Sequence, residues 1–163
     1  MTSLHPYDAE KRGRPPSVWM HASDLSSFAS LEYLSHRLLQ LSIEIKIVIT
    51  SSLPEIHMRM KDTEFEGLSV LETPKETNAS VQFFLNKYQP NFMVWSGGEL
   101  RTSLLRASAV RDITMILTNI RDTDFPLQRL RFLPDANRRA LKTFSRYYAV
   151  DSPSADRLNR MGI

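Results

Sequence analysis

The side chains able to do chemistry in this 163-residue sequence gather at short polar stops that follow apolar runs. The main ones are His21-Ala22-Ser23-Asp24, Ser96-Gly97-Gly98-Glu99 and Thr118-Asn119-Ile120-Arg121. His21 suits a general base or a ligand-orienting donor, because imidazole changes charge near neutral pH; the alternative is a ring held by the backbone at a strand end. Asp24 and Glu99 could divide acid and base duties if adjacent elements bring them together. Each also reads as a helix cap that offsets the positive end of the helix dipole, and for Asp24 capping is the stronger reading. Gly97-Gly98 ahead of a helix would let a ligand approach backbone amides, although a lone glycine pair is more often a plain turn. The pair lacks the third glycine and the spacing of a dinucleotide fingerprint, so no cofactor is expected. Asn119 and Arg121 can bind a polar ligand or simply bond their own loop. Trp19 and Trp95 read as core rather than as platforms for sugar stacking.

Other chemistries are excluded by what the chain lacks. It has no cysteine, which removes disulfides, thiolate zinc sites, iron–sulfur clusters and a cysteine nucleophile. Its four histidines, His5, His21, His36 and His57, have no metal-motif spacing, so no metal is expected.

The elements that must position these residues alternate between strand and helix. Ser17 to Ala22 is a short apolar run suited to a buried strand. Ser23 or Asp24 then caps a helix whose apolar stripe is Phe28, Leu31, Leu34, Leu38 and Leu41, at spacings of three and four. Ile43 to Thr50 is β-branched and forms the second strand. Ser52 caps a short helix that has Pro54 in its first turn. Leu68 to Glu72 is the third strand, and Thr77 or Asn78 starts a helix that runs to Tyr88 and stops at Pro90. Asn91 to Ser96 is the fourth strand, Glu99 to Ala109 a helix, and Asp112 to Asn119 the fifth strand. Leu127 to Tyr147 is arginine-rich and mainly helical, with Pro134 dividing it. Tyr147 to Asp151 is a sixth strand, and Ser152 to Met161 a last helix with Gly162 at its C-cap.

Six β-α units with short connections predict an α/β fold: a Rossmann-like, doubly wound parallel sheet with helices on both faces. In such a sheet ligands bind beyond the carboxyl ends of the strands, which is where the polar stops fall. That rim, rich in hydroxyls, glycine and helix N-termini, suits oxyanions or sugar hydroxyls.

Length and composition agree with one domain: 42% of residues are hydrophobic and 24% charged, close to the globular average, which excludes global disorder. Residues 1–16 read as a basic, extended lead-in and 17–163 as the domain, because Pro15 and Pro16 disfavour helix before them. No run approaches the roughly 18 apolar residues of a membrane span, and the N-terminus has no apolar signal core. The net charge of +3 is uneven, −1 over residues 1–120 and +4 over 121–163. Arg138 and Arg139 lie in the basic stretch and suit an acidic partner, against the plainer reading of a solvated helix face. Nucleic acid is not expected, because no nucleic-acid motif accompanies the charge.

Several segments together carry a family pattern. Glu10-Lys11-Arg12-Gly13-Arg14-Pro15 is similar to Glu-Arg-x-Gly-Arg-Pro, and Val18 to Ser23 to an apolar strand ending in His-Ala. Phe84 to Pro90 is similar to Phe-Leu-x-x-aromatic-x-Pro. Glu99-Leu100 falls on the Glu-Leu of Glu-Thr-Glu-Leu-Trp-Pro-Asn, and Asn119-Ile120-Arg121 on Asn-Ala-Arg. The tail, with Phe144, Asp151-Ser152, Ala155 to Leu158 and Met161-Gly162, is similar to Phe…Gln-Ser-Glu-x-Asp-Ala-x-Arg-Leu…Leu-Gly. In this order and spacing, from about Glu10 to Gly162, the chain resembles the N-terminal domain of bacterial 3-deoxy-D-manno-octulosonic acid (Kdo) transferases.

The resemblance implies half of a GT-B glycosyltransferase. The N-terminal half of that fold binds the lipid A acceptor, and the other half binds CMP-Kdo. It implies action in lipopolysaccharide biosynthesis at the cytoplasmic face of the inner membrane, here as a cytoplasmic or peripheral protein without an anchor. A phosphorylated lipid A precursor would also give the arginines an acidic partner. The chain departs from the family at the proposed base, the glutamate of His-Ala-x-Ser-x-Gly-Glu. Here the same positions read His21-Ala22-Ser23-Asp24-Leu25-Ser26-Ser27, and a serine cannot accept a proton near neutral pH. Gly97-Gly98-Glu99-Leu100-Arg101 keeps one glutamate of the second motif and loses the other and the tryptophan. The donor-binding half is expected on another chain or on a segment outside this sequence. The expected function is therefore an acceptor-binding half that is inactive alone, with a non-catalytic glycolipid- or protein-binding module as the alternative. A less favoured third reading is a small-ligand binder unrelated to glycosyl transfer.

Overall fold

The computed structural model describes residues 15–41, 44–60, 66–124 and 136–163. The basic lead-in through Arg14 and the break at Pro134 lie outside these residues.

The chain alternates strand and helix throughout: β1 (Ser17–Ala22), α1 (Leu25–Leu41), β2 (Lys46–Ser51), α2 (Pro54–Met60), β3 (Leu68–Glu72), α3 (Asn78–Tyr88), β4 (Phe92–Ser96), α4 (Thr102–Val110), β5 (Thr114–Ile120), α5 (Ala136–Leu141), β6 (Arg146–Ala149) and α6 (Ser152–Arg160). All neighbouring strands pair in parallel, in the order β3-β2-β1-β4-β5-β6. This is the expected Rossmann-like sheet. The order reverses between β1 and β4, and such reversals open a crevice at the strand tips.

Side chains alternate across the strands, so each central strand feeds two cores. Trp19, Met93, Trp95, Met115 and Leu117 face one layer, where they meet Phe84 and Leu85 of α3, Leu104 and Leu105 of α4, and Leu158 of α6. Met20, Ala22, Ile47, Ile49 and Val94 face the other, against Phe28 and Leu31 of α1 and Ile56 of α2. Both tryptophans are fully buried and pack edge-on, with ring centroids 6.0 Å apart, as core residues.

Several boundaries differ from the sequence-based expectation, each for a local reason. Helix α4 begins at Thr102 rather than Glu99, because the Trp95 indole N–H donates to the Glu99 carbonyl (2.9 Å) and holds 99–101 outside the helix. Strand β5 begins at Thr114, since Asp112 turns with φ of 55°. The second strand begins at Lys46, after a turn at Glu44. Ser52 does not cap α2; its hydroxyl instead receives the Arg101 guanidinium. The described part of the arginine-rich stretch forms the short α5 and then β6, which ends at Ala149 and leaves Asp151 to cap α6 by accepting the Ser154 N–H. Gly162 follows α6 in the left-handed region (φ 74°), with Met161 as the C-cap itself.

Candidate functional site at the strand tips

The switch point between β1 and β4 brings His21, Ser23, Asp24, Ser27, Gly97, Asn119 and Arg121 to the same end of the sheet. The chain turns from β1 into α1 as Ser23 N–H donates to the Ser96 carbonyl (3.0 Å), while Gly97 N–H donates to the Thr118 carbonyl (3.0 Å). These bonds prolong the ladders β1–β4 and β4–β5 by one step and bring the two connecting loops together. The contact is tight: a Cβ on Gly97 would lie 2.7 Å from the Ser23 Cβ and 3.4 Å from the Ser27 hydroxyl. Gly98 is enclosed as well, since a Cβ there would overlap the side chain of Asp124.

Asn119 joins this cluster through an irregularity of β5. The pairing of β5 with β6 shifts register between Leu117 and Ile120, and Asn119 adopts φ of 56°, which asparagine tolerates. The bulge re-aims the side chain, and its amide N–H donates to the Ser27 hydroxyl (2.9 Å). Ser27 is completely buried. The residue at the position where the resemblance implies a base is thus a packed, hydrogen-bonded hydroxyl.

Asp24 caps α1. One carboxylate oxygen accepts the Ser27 N–H (2.7 Å), and the other lies 3.4 Å from an Arg121 amino group. Burial works against ionisation here, but the Ser27 and Arg121 hydrogen bonds and the Arg121 charge outweigh it, so the carboxyl sits below its ordinary value. Replacing Asp24 with alanine removes the cap and is expected to lower stability by about 1 kcal/mol, read as a shift in the urea midpoint. Glu99 pairs separately, 2.6 Å from Arg101. The two carboxylates proposed as an acid/base pair are each bound to their own arginine.

His21 sits on the opposite face of the β1 tip. It is fully buried, stacked on Trp95 at 3.8 Å, and its Nδ1 is 3.1 Å from the Thr50 hydroxyl. Burial and then the nearby Arg101 charge push its pKa down from 6.5 to about 3, so the ring is neutral at physiological pH. Its Nε2 has no hydrogen-bond partner, nor do Ser23 Oγ, Thr73 Oγ1 and Arg101 Nε.

Arg138 and Arg139 do not join the strand-tip cluster. Arg138 lies against Gly162, and Arg139 lines an outer groove of about 920 Å³ between α3, α4 and α5, with Arg106 and Arg111. That groove is separate from the tips. The sequence reading gave no site role to Thr50 or Arg101. Thr50 reaches His21 only through strand register, whereas Arg101 had a signal: a cation directly after the Glu99-Leu100 motif.

Among the described residues no helix is long and apolar enough to cross a membrane, and no group of three or more histidine or acidic residues is placed to hold a metal ion.

The sequence matches the family model described as 3-deoxy-D-manno-octulosonic-acid transferase (Kdo transferase) over residues 3–163. A comparison with curated protein sequences finds no match. Among solved structures, the chain is similar to one described as a UDP-N-acetylglucosamine 2-epimerase from Listeria monocytogenes. The TM-score is 0.60 at 12% identity, covering 91% of this chain and 43% of that one. It is also similar to a UDP-GlcNAc 2-epimerase from Neisseria meningitidis bound to UDP-GlcNAc, with TM-score 0.56 at 15% identity, covering 90% and 43%. At these identities the likeness is one of fold, and this chain spans less than half of either protein.

Proposed function

The chain belongs to the Kdo transferase family through its N-terminal domain, and from that membership we propose that it forms the acceptor-side half of a Kdo-transferase-like glycosyltransferase. The observation that carries the reading is the family match across nearly the whole sequence. The strand-tip crevice is then the acceptor cleft, facing a donor domain that holds CMP-Kdo. The acceptor is a phosphorylated lipid A-type glycolipid, met at the cytoplasmic face of a membrane by a peripheral protein.

The cleft as it stands is poorly equipped for catalysis. Transfer needs a base to take the acceptor hydroxyl's proton. Ser27 stands where the family has that base, and its hydroxyl accepts the Asn119 N–H instead. Asp24 is a weak base held by Ser27 and Arg121, and Glu99 is paired with Arg101. This favours an acceptor-binding chain with little or no activity alone.

The test combines the purified protein with the donor domain of an active family member, CMP-Kdo and a phosphorylated lipid A precursor in vesicles. Co-sedimentation with precursor-containing vesicles but not with neutral ones is expected; equal sedimentation with both overturns the acceptor role. Arg138 and Arg139 lie away from the crevice, so their charge reversal should reduce retention only if they meet the acidic vesicle surface, and indifference removes them from the membrane-facing side. Transfer is expected to be near background and to rise on Ser27→Glu toward the roughly 10²–10⁴-fold contribution of a general base. No gain would show that the missing base is not what limits the chain.

A further inference from the structure

Among the described residues four buried polar atoms lack partners, and three of them, His21 Nε2, Thr73 Oγ1 and Arg101 Nε, belong to residues at the same end of the sheet. Unpaired buried groups are rare in folded proteins and signal an unseen ligand, ion or water. His21 pairs in register with Thr50, and Thr50 with Leu71; Thr73, two residues beyond Leu71, shares its face and continues the ladder through an N–H bond to the Ser51 carbonyl (3.0 Å). Arg101 leans over from the lead-in to α4. Its Nη2 is anchored on the Ser52 hydroxyl (2.7 Å) and on Glu99 (2.6 Å), which leaves Nε free. Trp95 closes one side by stacking on His21 and pinning the Glu99 carbonyl.

We propose that these residues form an oxyanion-binding subsite, in which Arg101 supplies the charge and His21 Nε2–H and the Thr73 hydroxyl donate to a phosphoryl or carboxylate group carried by a sugar. The histidine tautomer follows from Thr50. Its oxygen accepts the Trp19 indole N–H (2.9 Å), and its single hydrogen goes to the nearer acceptor, His21 Nδ1 at 3.1 Å, rather than the Met20 carbonyl at 3.4 Å. The ring proton then resides on Nε2, and a neutral imidazole in this low-dielectric site acts as a donor. Three donors and one cation without a fully committed anion select a negative ligand over water. Glu99 is a partial competitor for the arginine, but it is the more exposed member of that pair. The resemblance offers no counterpart for this role, because the family motif has tryptophan where this chain has Arg101.

The inference deepens the reading of the strand tips as a ligand cleft and rests on it, but its test needs no transfer. Failure of Kdo transfer would leave the titration below standing, and failure of the titration would leave vesicle binding standing. The intact protein, labelled with ¹⁵N, is titrated with inorganic phosphate, glucosamine 1-phosphate and glucuronate, with potassium chloride as the control. The His21 ring nitrogens are followed throughout. A saturable shift of a protonated Nε2 is expected with at least one oxyanion, and the tighter arm distinguishes a phosphoryl from a carboxylate source. Arg101→Gln should weaken binding by about tenfold or more, as expected on losing a charge-assisted bond. Glu99→Gln should act in the opposite sense and tighten it up to about fivefold by releasing the arginine. A merely structural role for Arg101 would not produce opposite signs. Should Arg101→Gln fail to fold, the exposed Glu99→Gln decides alone. The proposal is overturned if no oxyanion moves Nε2 beyond the chloride control, or if binding is unchanged in both variants.

Discussion

Acidification from neutrality to about pH 4 is expected to destabilise the fold by about 3 kcal/mol through His21 alone. The ring is fully buried and neutral, with its pKa lowered from 6.5 to about 3 by burial and then by the Arg101 charge. Between those two values the unfolded chain binds a proton that the folded chain refuses. The stabilisation is therefore complete above about pH 6.5 and is lost as pH falls toward 3. The depressed carboxyls of Asp24 and Asp151 act in the same direction but lower, beginning near the ordinary aspartate value of 3.8, so among these groups the interval between about pH 4 and 6.5 belongs to His21. Urea titrations at a series of pH values would show the free energy of unfolding falling through this interval. His21→Phe keeps a ring against Trp95 and removes the titration; its stability should be lower at neutrality but flat across the same interval. A His21→Phe protein that loses stability with acid as steeply as the parent would remove His21 as the cause.

The second large effect is expected at Gly97. Two penalties meet there in Gly97→Ala. The backbone sits at φ of 97°, where an L side chain is strained by about 1–2 kcal/mol. The added methyl would also lie 2.7 Å from the Ser23 Cβ, and displacing well-packed neighbours adds about 1–3 kcal/mol. Ser23 cannot yield easily, because its N–H holds the Ser96 carbonyl. A loss of about 3 kcal/mol is expected, with the Asn119–Ser27 hydrogen bond disturbed in the amide side-chain NMR signal. Adding Ser23→Gly relieves the clash but not the backbone strain, so the double variant should recover about half of the loss. A Gly97→Ala protein within about 0.5 kcal/mol of the parent would contradict the tight loop contact at the switch point.

Helix starts were legible wherever the signal is local. Asp24 and Thr77 were readable as cap positions because a side-chain oxygen ahead of an apolar periodic run has backbone N–H groups within reach, whereas Asp151, read as the end of the sixth strand, caps α6. The start of α4 was misread for the opposite reason. Glu99 and Leu100 are good helix formers, yet the indole of Trp95 captures the Glu99 carbonyl and delays the helix to Thr102. In the same way the left-handed turn at Asp112 shortens β5, and the pairing of Arg101 with Ser52 removes the expected cap of α2.

The order of apolar strands and amphipathic helices, with its polar stops, was enough by itself to set a parallel α/β sheet with a polar rim at one end. Strand alternation and helix periodicity are short-range consequences of backbone geometry, readable within a few residues. Which rim residues meet was decided only by the tertiary structure. Ser27 finds Asn119, 92 positions further along the chain, through a bulge in β5. His21 finds Thr50 through the register of β1 on β2, and Arg101 crosses to Ser52 from a different unit of the fold. These contacts depend on strand order, register and local twist, which emerge when the whole sheet packs against its helices.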